Sequence, residues 1–367
     1  FLIFIYGMAL WFIFSPKPDY SSSEKRYLQK FPEVTAEKLL SGDFGSEFET
    51  FFADRFPQRN TWVGLNAYTA LAEGNNGASG VYNCKNGYLI NKPVSTENNL
   101  DKNIGAVADF AKSIGTPTTV MLVPSTGYIV DDVLPTFHDK YNDDEDISKI
   151  SSTLSKDKIG FVDLRERFKS EYKNGSQIYY KTDHHWTTKG AYTGYQELCK
   201  ALGITPIDDS TLKKDSYPDF YGTTYSSSGF WLTPPDNIEI WNNPKNSDRN
   251  ISVKITEGAN IKTSGSMYFT DHLKEDDKYP VFIDGNHALT EITNTNAKNG
   301  TILLIKDSFS HSLAPFLAEN YSKVVLVDLR YYKESVSDLV TTYNPEQVVV
   351  LYGIDNLATD TDIVWLK

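Results

Sequence analysis

The sequence predicts an α/β fold, with a mostly parallel sheet covered by helices on both faces. Three observations predict it. The apolar runs "TTVMLV", "TILLI", "KVVLV" and "EQVVVLY" are continuous rather than alternating, the pattern of strands buried on both faces. Stretches with helical spacing separate them, which calls for crossover connections. One run ends in a tight turn that carries Ser308 just before a helix. In open α/β sheets, ligands bind outside the carboxyl ends of the strands, where such turns lie.

In order along the chain, residues 1–14, "FLIFIYGMALWFIF", are apolar and uncharged. The run is shorter than the roughly 20 residues of a spanning helix. Because the chain opens on Phe1, the run is read as the outer half of a signal-anchor. A polar, Pro- and Ser-containing break follows, and the expectation is a single N-terminal anchor with an extracytoplasmic domain. Residues 15–97 form an N-terminal region. Its 24–72 stretch reads as amphipathic helix broken by Pro and Gly. Its 80–92 stretch reads as a hairpin turned at Asn86-Gly87. Residues 98–367 carry the strand and helix alternation. In it "TTKGAYTGYQELCKALG" is a helix capped by Thr187 or Thr188. Residues at about 204–296, rich in Tyr, Thr, Asn, Pro and Gly, read as a β-rich insertion or lid over the strand ends.

Composition narrows the function. A formal net charge of −12, with no Lys/Arg cluster, argues against nucleic acid as a partner. Tyr (23) and Phe (20) are abundant, which suits carbohydrate contact but equally suits an aromatic core. The two cysteines, Cys84 and Cys199, have no C-x-x-C partner and can be one disulfide or two thiols.

Three stretches could carry chemistry. In "LLIKDSFSHS" the helix after Ser308 offers N–H groups and positive dipole to a developing oxyanion, and this makes Ser308 the nucleophile candidate. Ser308 could equally be a plain N-cap. A serine nucleophile needs a base, and the base an orienting acceptor. In "KTDHHW", taken as extended, Asp183 and His185 face one way and His184 the other. Asp183 can then hold the imidazole of His185, which takes the Ser308 proton. A metal reading of the Asp-His-His string needs further ligands. Asp163, Asp271, His272, Asp284 and His287 are available but lack ligand spacing, so no metal or other cofactor is expected. In "VFIDGNHALTEI", Gly285 allows close backbone approach and Asn286 offers a neutral amide donor to an oxyanion; His287 is a second-choice base. Arg330 and Tyr331 end another strand and could bind a sugar or carboxylate, although Arg330 also reads as a structural ion-pair partner.

Together, "TDHHWTTKGAY", "DGNHALTEI" and "LLIKDSFSHSLAPFLAENY…VVLVDLRYY" resemble the DHHW family of bacterial cell-envelope proteins. That family is similar to the alginate O-acetyltransferase branch of the SGNH hydrolase-like superfamily. The resemblance extends to "SSSEKRYLQKFPEVTAEKLLSGDFGSEFETFFADRFPQRN" and to "GVYNCKNGYLI". It implies a flavodoxin-like α/β/α sandwich with a Ser-His-Asp triad of Ser308, His185 and Asp183. The Ser308 N–H, with Asn286 and Gly285, would form the oxyanion hole. Lys306 stands where the superfamily has Gly before Asp-Ser, which removes one possible oxyanion contact. The resemblance also implies an exported or cell-surface polysaccharide as substrate and a membrane-bound O-acyltransferase as partner. The expected activity is O-acetyl transfer, with a carbohydrate esterase, a non-catalytic glycan-binding protein and a metal phosphoesterase as rivals.

Overall fold

The computed structural model describes residues 2–95 and 99–366. The boundary expected at 97/98 falls outside them. One eight-stranded sheet organises the chain. Its strands, in chain order, are β1 (Thr118–Val123), β2 (Gly160–Asp163), β3 (Ile251–Glu257), β4 (Asn260–Ser264), β5 (Leu289–Asn294), β6 (Asn299–Lys306), β7 (Tyr321–Val327) and β8 (Gln347–Gly353). Across the sheet the order is β4-β3-β5-β7-β6-β8-β1-β2. From β7 to β2 every pairing is parallel.

The continuous apolar strands are buried on both faces because alternate residues serve two cores. Met121, Ile302, Leu304, Val324 and Val349 pack one way, against the helices Thr188–Leu202 and Ser310–Leu317. Val120, Leu303, Ile305, Val325 and Val350 pack the other way, against Asn99–Ile114 and Val336–Tyr343. The result is the expected three-layer α/β sandwich.

The segment 204–296 divides in two. The strands of its second part do not lie over the strand ends: β5 pairs antiparallel with β7, β3 with β5 and β4 with β3, which extends the sheet. The reason is visible in "ISVKITE", which alternates buried and accessible residues as a one-sided antiparallel strand does. The first part forms a separate two-stranded ribbon, Lys213–Phe220 with Asp236–Asn242.

The N-terminal region folds as helices Leu2–Phe14, Ala36–Ser41, Asp43–Asp54 and Arg59–Ala72, then a small three-stranded sheet. At the hairpin, Asn86 (φ 58°) and Gly87 (φ 78°) both take the left-handed conformation that an Asn-Gly turn favours. The 13 residues of Leu2–Phe14 span about 20 Å at 1.5 Å per residue, against roughly 30 Å of bilayer hydrocarbon. No helix among the described residues is long and apolar enough to cross a membrane. Cys84 and Cys199 are both buried and free.

Candidate active site

Two loops at the carboxyl edge of the sheet build the site. The first follows β6. Burial pushes the Asp307 carboxyl above its ordinary range, and it fixes the turn by accepting three hydrogen bonds. Its Oδ1 accepts from the Phe309 N–H at 3.0 Å, its Oδ2 from the Gly353 N–H and Asn356 Nδ2 at 2.7 Å each. Ser308 sits between these anchors, 8% exposed. Its N–H meets no acceptor among the described residues.

The second loop carries Asp183–Trp186 and runs through a series of bends between the bridged residues Tyr179 and Trp186. Asp236, on the ribbon, cradles its start by accepting from the Lys181 N–H (2.9 Å), the Thr182 N–H (2.7 Å) and the Thr182 hydroxyl (2.7 Å). Trp186 is fully buried and locks the two loops together: its Nε1 donates to the Phe309 carbonyl at 3.0 Å and to Ser312 Oγ at 2.9 Å.

Between these loops, His185 Nε2 lies 2.7 Å from Ser308 Oγ, and His185 Nδ1 lies 2.5 Å from Asp183 Oδ1. Asp183 Oδ1 also accepts from the His185 N–H at 2.9 Å; Oδ2 accepts from the N–H (2.7 Å) and hydroxyl (3.1 Å) of Thr223. Burial works to raise the Asp183 pKa, but His185, His184 and these hydrogen bonds outweigh it and hold the carboxyl well below its usual range. The backbone at Gly222 comes so close that a Cβ there would lie 2.0 Å from Asp183 Cβ, so only glycine fits. The His185 ring stacks on Tyr279 at 4.0 Å and 10°, which fixes its plane.

His184 departs from the expectation. It does not face away: its ring lies 3.8 Å from that of His185, because the loop bends rather than extends. Its Nδ1 pairs with Thr223 Oγ1 at 2.7 Å. Desolvation, then the neighbouring His185, lowers its pKa to about 3. Asp183, His184 and His185 do offer ligand atoms within 4.8 Å of one another. The donor set suits a metal poorly, since both His185 nitrogens and both Asp183 oxygens are already hydrogen-bonded within the protein.

The remaining expected residues lie on two other segments, before β5 and after β7. Asn286 is exposed, and its Oδ1 accepts from Arg330 Nη2 at 2.9 Å. Gly285 takes a positive φ of 84° in its turn. His287 is held between Glu257 Oε1 (2.8 Å) and the Asp284 carbonyl (2.9 Å), a position unsuited to a base for Ser308. Arg330 forms a two-pronged pair with Asp328, at 2.9 and 2.6 Å, and its guanidinium lies 5.6 Å from the ring centre of the exposed Tyr331. Among the described residues none of these five shares a hydrogen bond or ring contact with Asp183, His185 or Ser308. Lys306 explains its place before Asp307: its side chain is buried and its Nζ pairs with Asp328 Oδ2 at 2.7 Å and His311 Nε2 at 2.9 Å. Thr223, Asp236, Tyr279 and Asn356 were not foreseen. They lie 29 or more positions from the motif residues they support, and nothing in their local sequence marks them.

A buried chain of hydrogen bonds through Asp183, His185 and Ser308 lies at the strand ends of an α/β sandwich of the SGNH hydrolase-like fold class. The sequence profile of the family described as DHHW protein matches residues 94–327, more than half of the chain. The chain belongs to the DHHW family. Among solved structures it is similar to a DHHW family protein from Eubacterium siraeum, at 18% identity and TM-score 0.65 over 78% of this chain and 95% of that one. It is similar to PatB1 of Bacillus cereus with a sulfonyl adduct, at 20% identity and TM-score 0.64 over 77% and 97%. The O-acetyltransferase domain of Pseudomonas putida AlgJ matches at 14% identity and TM-score 0.50 over 78% and 95%. Among curated protein sequences none matches.

Two predictions follow from the site's charges. Asp328→Ala leaves the Lys306 ammonium buried with only His311, and should destabilise the protein by about 3–5 kcal/mol in urea unfolding. Lys306→Met leaves Asp328 paired with Arg330 and should cost less; the reverse ranking would refute the role given to the pair. For His184 the folded pKa lies below the ordinary 6.5. The unfolded chain therefore binds a proton that the folded one refuses. This contribution is fully present above about pH 6.5 and is lost as pH falls towards 3. His184→Gln should unfold at a urea midpoint that falls less between pH 7 and pH 4 than the unaltered protein's, and parallel curves would contradict the assignment.

Proposed function

We propose that this protein is an extracytoplasmic O-acetyltransferase acting on a cell-surface or exported polysaccharide. The observation that carries the reading is the continuous relay Asp183–His185–Ser308, held by protein on every side except at the serine. The name of the AlgJ domain, an O-acetyltransferase of similar fold, supports the choice of group transferred.

In this reading Ser308 Oγ attacks the acetyl carbonyl of a donor while His185 Nε2 takes its proton. His185 returns that proton to the leaving group, and the acetyl group stays on Ser308 as an ester. A sugar hydroxyl then attacks, again giving its proton to His185, which returns it to Ser308 Oγ as the ester bond to the serine breaks and the acetylated sugar leaves. Asp183 holds the imidazole tautomer and stabilises the imidazolium. The free N–H of Ser308 is the first oxyanion donor, next to the N-terminus of the Ser310–Leu317 helix. The donor fits a membrane-bound O-acyltransferase that delivers acetyl groups across the bilayer. The apolar helix Leu2–Phe14, with Leu2, Ile3, Leu10 and Phe14 exposed, supports a seat at the membrane.

Ser308→Ala, His185→Ala and Asp183→Ala should each lower acetyl transfer from a p-nitrophenyl acetate donor by about 10³-fold or more while the fold persists. A sulfonyl fluoride should label Ser308 in the unaltered protein, checked by mass spectrometry of the labelled peptide. Full activity in Ser308→Ala would sink the assignment, and free acetate as the sole product would make the protein an esterase.

A further inference from the structure

A small cavity adjoins the relay, between the segments that follow β1 and β8 and beside Thr224. It holds about 50 Å³, room for roughly three water-sized groups. Its wall is partly apolar, from Val123, Ile354 and the Phe309 ring. Its polar atoms have unfilled hydrogen-bonding capacity.

Thr224 is 2% exposed, and its hydroxyl has no partner among the described residues. Such a group is costly to bury unless something completes it. Asp355 gives Oδ1 to the Ser125 hydroxyl at 3.1 Å, and its Oδ2 meets no donor among the described residues. Asn356 spends its Nδ2 on Asp307 and keeps its carbonyl oxygen. For His184 the network assigns the tautomer. The Thr223 hydroxyl donates to Asp183, so it must accept from His184 Nδ1–H, and Nε2 is left as a lone-pair acceptor. Three acceptors and one two-way hydroxyl therefore surround a partly apolar wall.

That pattern fits a carbon that carries a hydroxyl: the O–H supplies hydrogens and the C–H surface meets Phe309 and Ile354. A carboxylate facing these side chains would bring acceptor to acceptor. Behind Ser125 lies Asp143, whose Oδ1 accepts from the Ser125 N–H at 2.7 Å. Burial raises the Asp143 pKa to about 7 and that of Asp355 to about 6. The chain as a whole carries a net charge of −12, so an anionic sugar enters against a repelling field. We propose that this cavity is an acceptor subsite that seats a hydroxyl-bearing arm of an uncharged sugar and disfavours uronates. The inference rests on the acyl-transfer reading of the same site and names its substrate class.

The test is direct binding to the full chain, with no acyl donor present. A panel of neutral oligosaccharides (gluco-, manno-, galacto- and N-acetylglucosamine-based) and galacturonate oligomers would be titrated by calorimetry. At least one neutral series should bind more tightly than the uronates. Asp355→Asn should weaken that binding about tenfold, as loss of a hydrogen bond to a charged group does, and Thr224→Val by about threefold. Thr224→Val removes no intramolecular hydrogen bond, so it keeps the test valid if Asp355→Asn folds poorly. Tighter binding of uronates, or wild-type binding in both variants, would overturn the subsite. Sulfonyl labelling of Ser308 is read separately. Labelling without sugar discrimination overturns the subsite alone, whereas sugar discrimination without labelling supports the subsite and sinks the transferase reading.

Discussion

A carboxylate taken out of water must find its hydrogen bonds within the protein, and that demand shapes this site more than any other force. Asp307 finds three donors, two of them on the segment at the end of β8, and so pins the serine turn to a second strand. Asp236 finds its donors on the loop that carries Asp183 and His185. Each loop is irregular and is tied to strands by isolated backbone hydrogen bonds, Asp307 N–H to the Leu351 carbonyl and Leu89 N–H to the Lys181 carbonyl, rather than by a ladder. Buried carboxylates, with the Trp186 indole between the loops, take over the work that ladder hydrogen bonds do in the sheet. The 2.7 Å approach of His185 to Ser308, 123 positions apart, depends on all of them.

The same accounting explains Lys306. A lysine at the end of a buried strand is expensive unless paired. Asp328 pairs it, and Arg330 then pairs Asp328 from the surface side. The loop that carries Asn286 is thereby tied to the strand that leads to Ser308. This chain of charges gives Arg330 a structural task, one of the two readings open from its sequence.

The parallel core was legible because its strands are short, apolar and separated by helices, so composition alone distinguishes them. Asp183 and His185 were legible as a pair, but for an incomplete reason. Extended alternation places them on one side, yet the loop is a run of bends. What joins them is local: the Asp183 carboxylate accepts the His185 N–H two residues on, and this turn sets the imidazole beside it. The alternation argument therefore failed for His184, whose ring stacks against its neighbour. Thr223, Asp236 and Tyr279 act through contacts between distant segments, and no periodicity encodes such contacts. The antiparallel edge was half visible in "ISVKITE", where the alternation is clear, but its Asn- and Gly-rich surroundings suggested a lid.

In the proposed reaction, the hydrogen bonds of Asp183 limit how the proton can move. Its two oxygens accept four hydrogen bonds, two from His185 and two from Thr223. A carboxylate so fully engaged has little to gain from a proton, in keeping with its depressed pKa. A proton taken from Ser308 therefore rests on His185 and does not pass to Asp183. Nδ1 is committed to Asp183, so the proton can leave only from Nε2, the nitrogen that faces the serine. In the proposed reaction the leaving group and the incoming hydroxyl must both meet that one atom. The polar cavity is lined by His184 and Phe309, the chain neighbours of His185 and Ser308. In the proposed reaction a sugar seated there would compete with water by position, and that competition would separate transfer from hydrolysis when both share one ester intermediate.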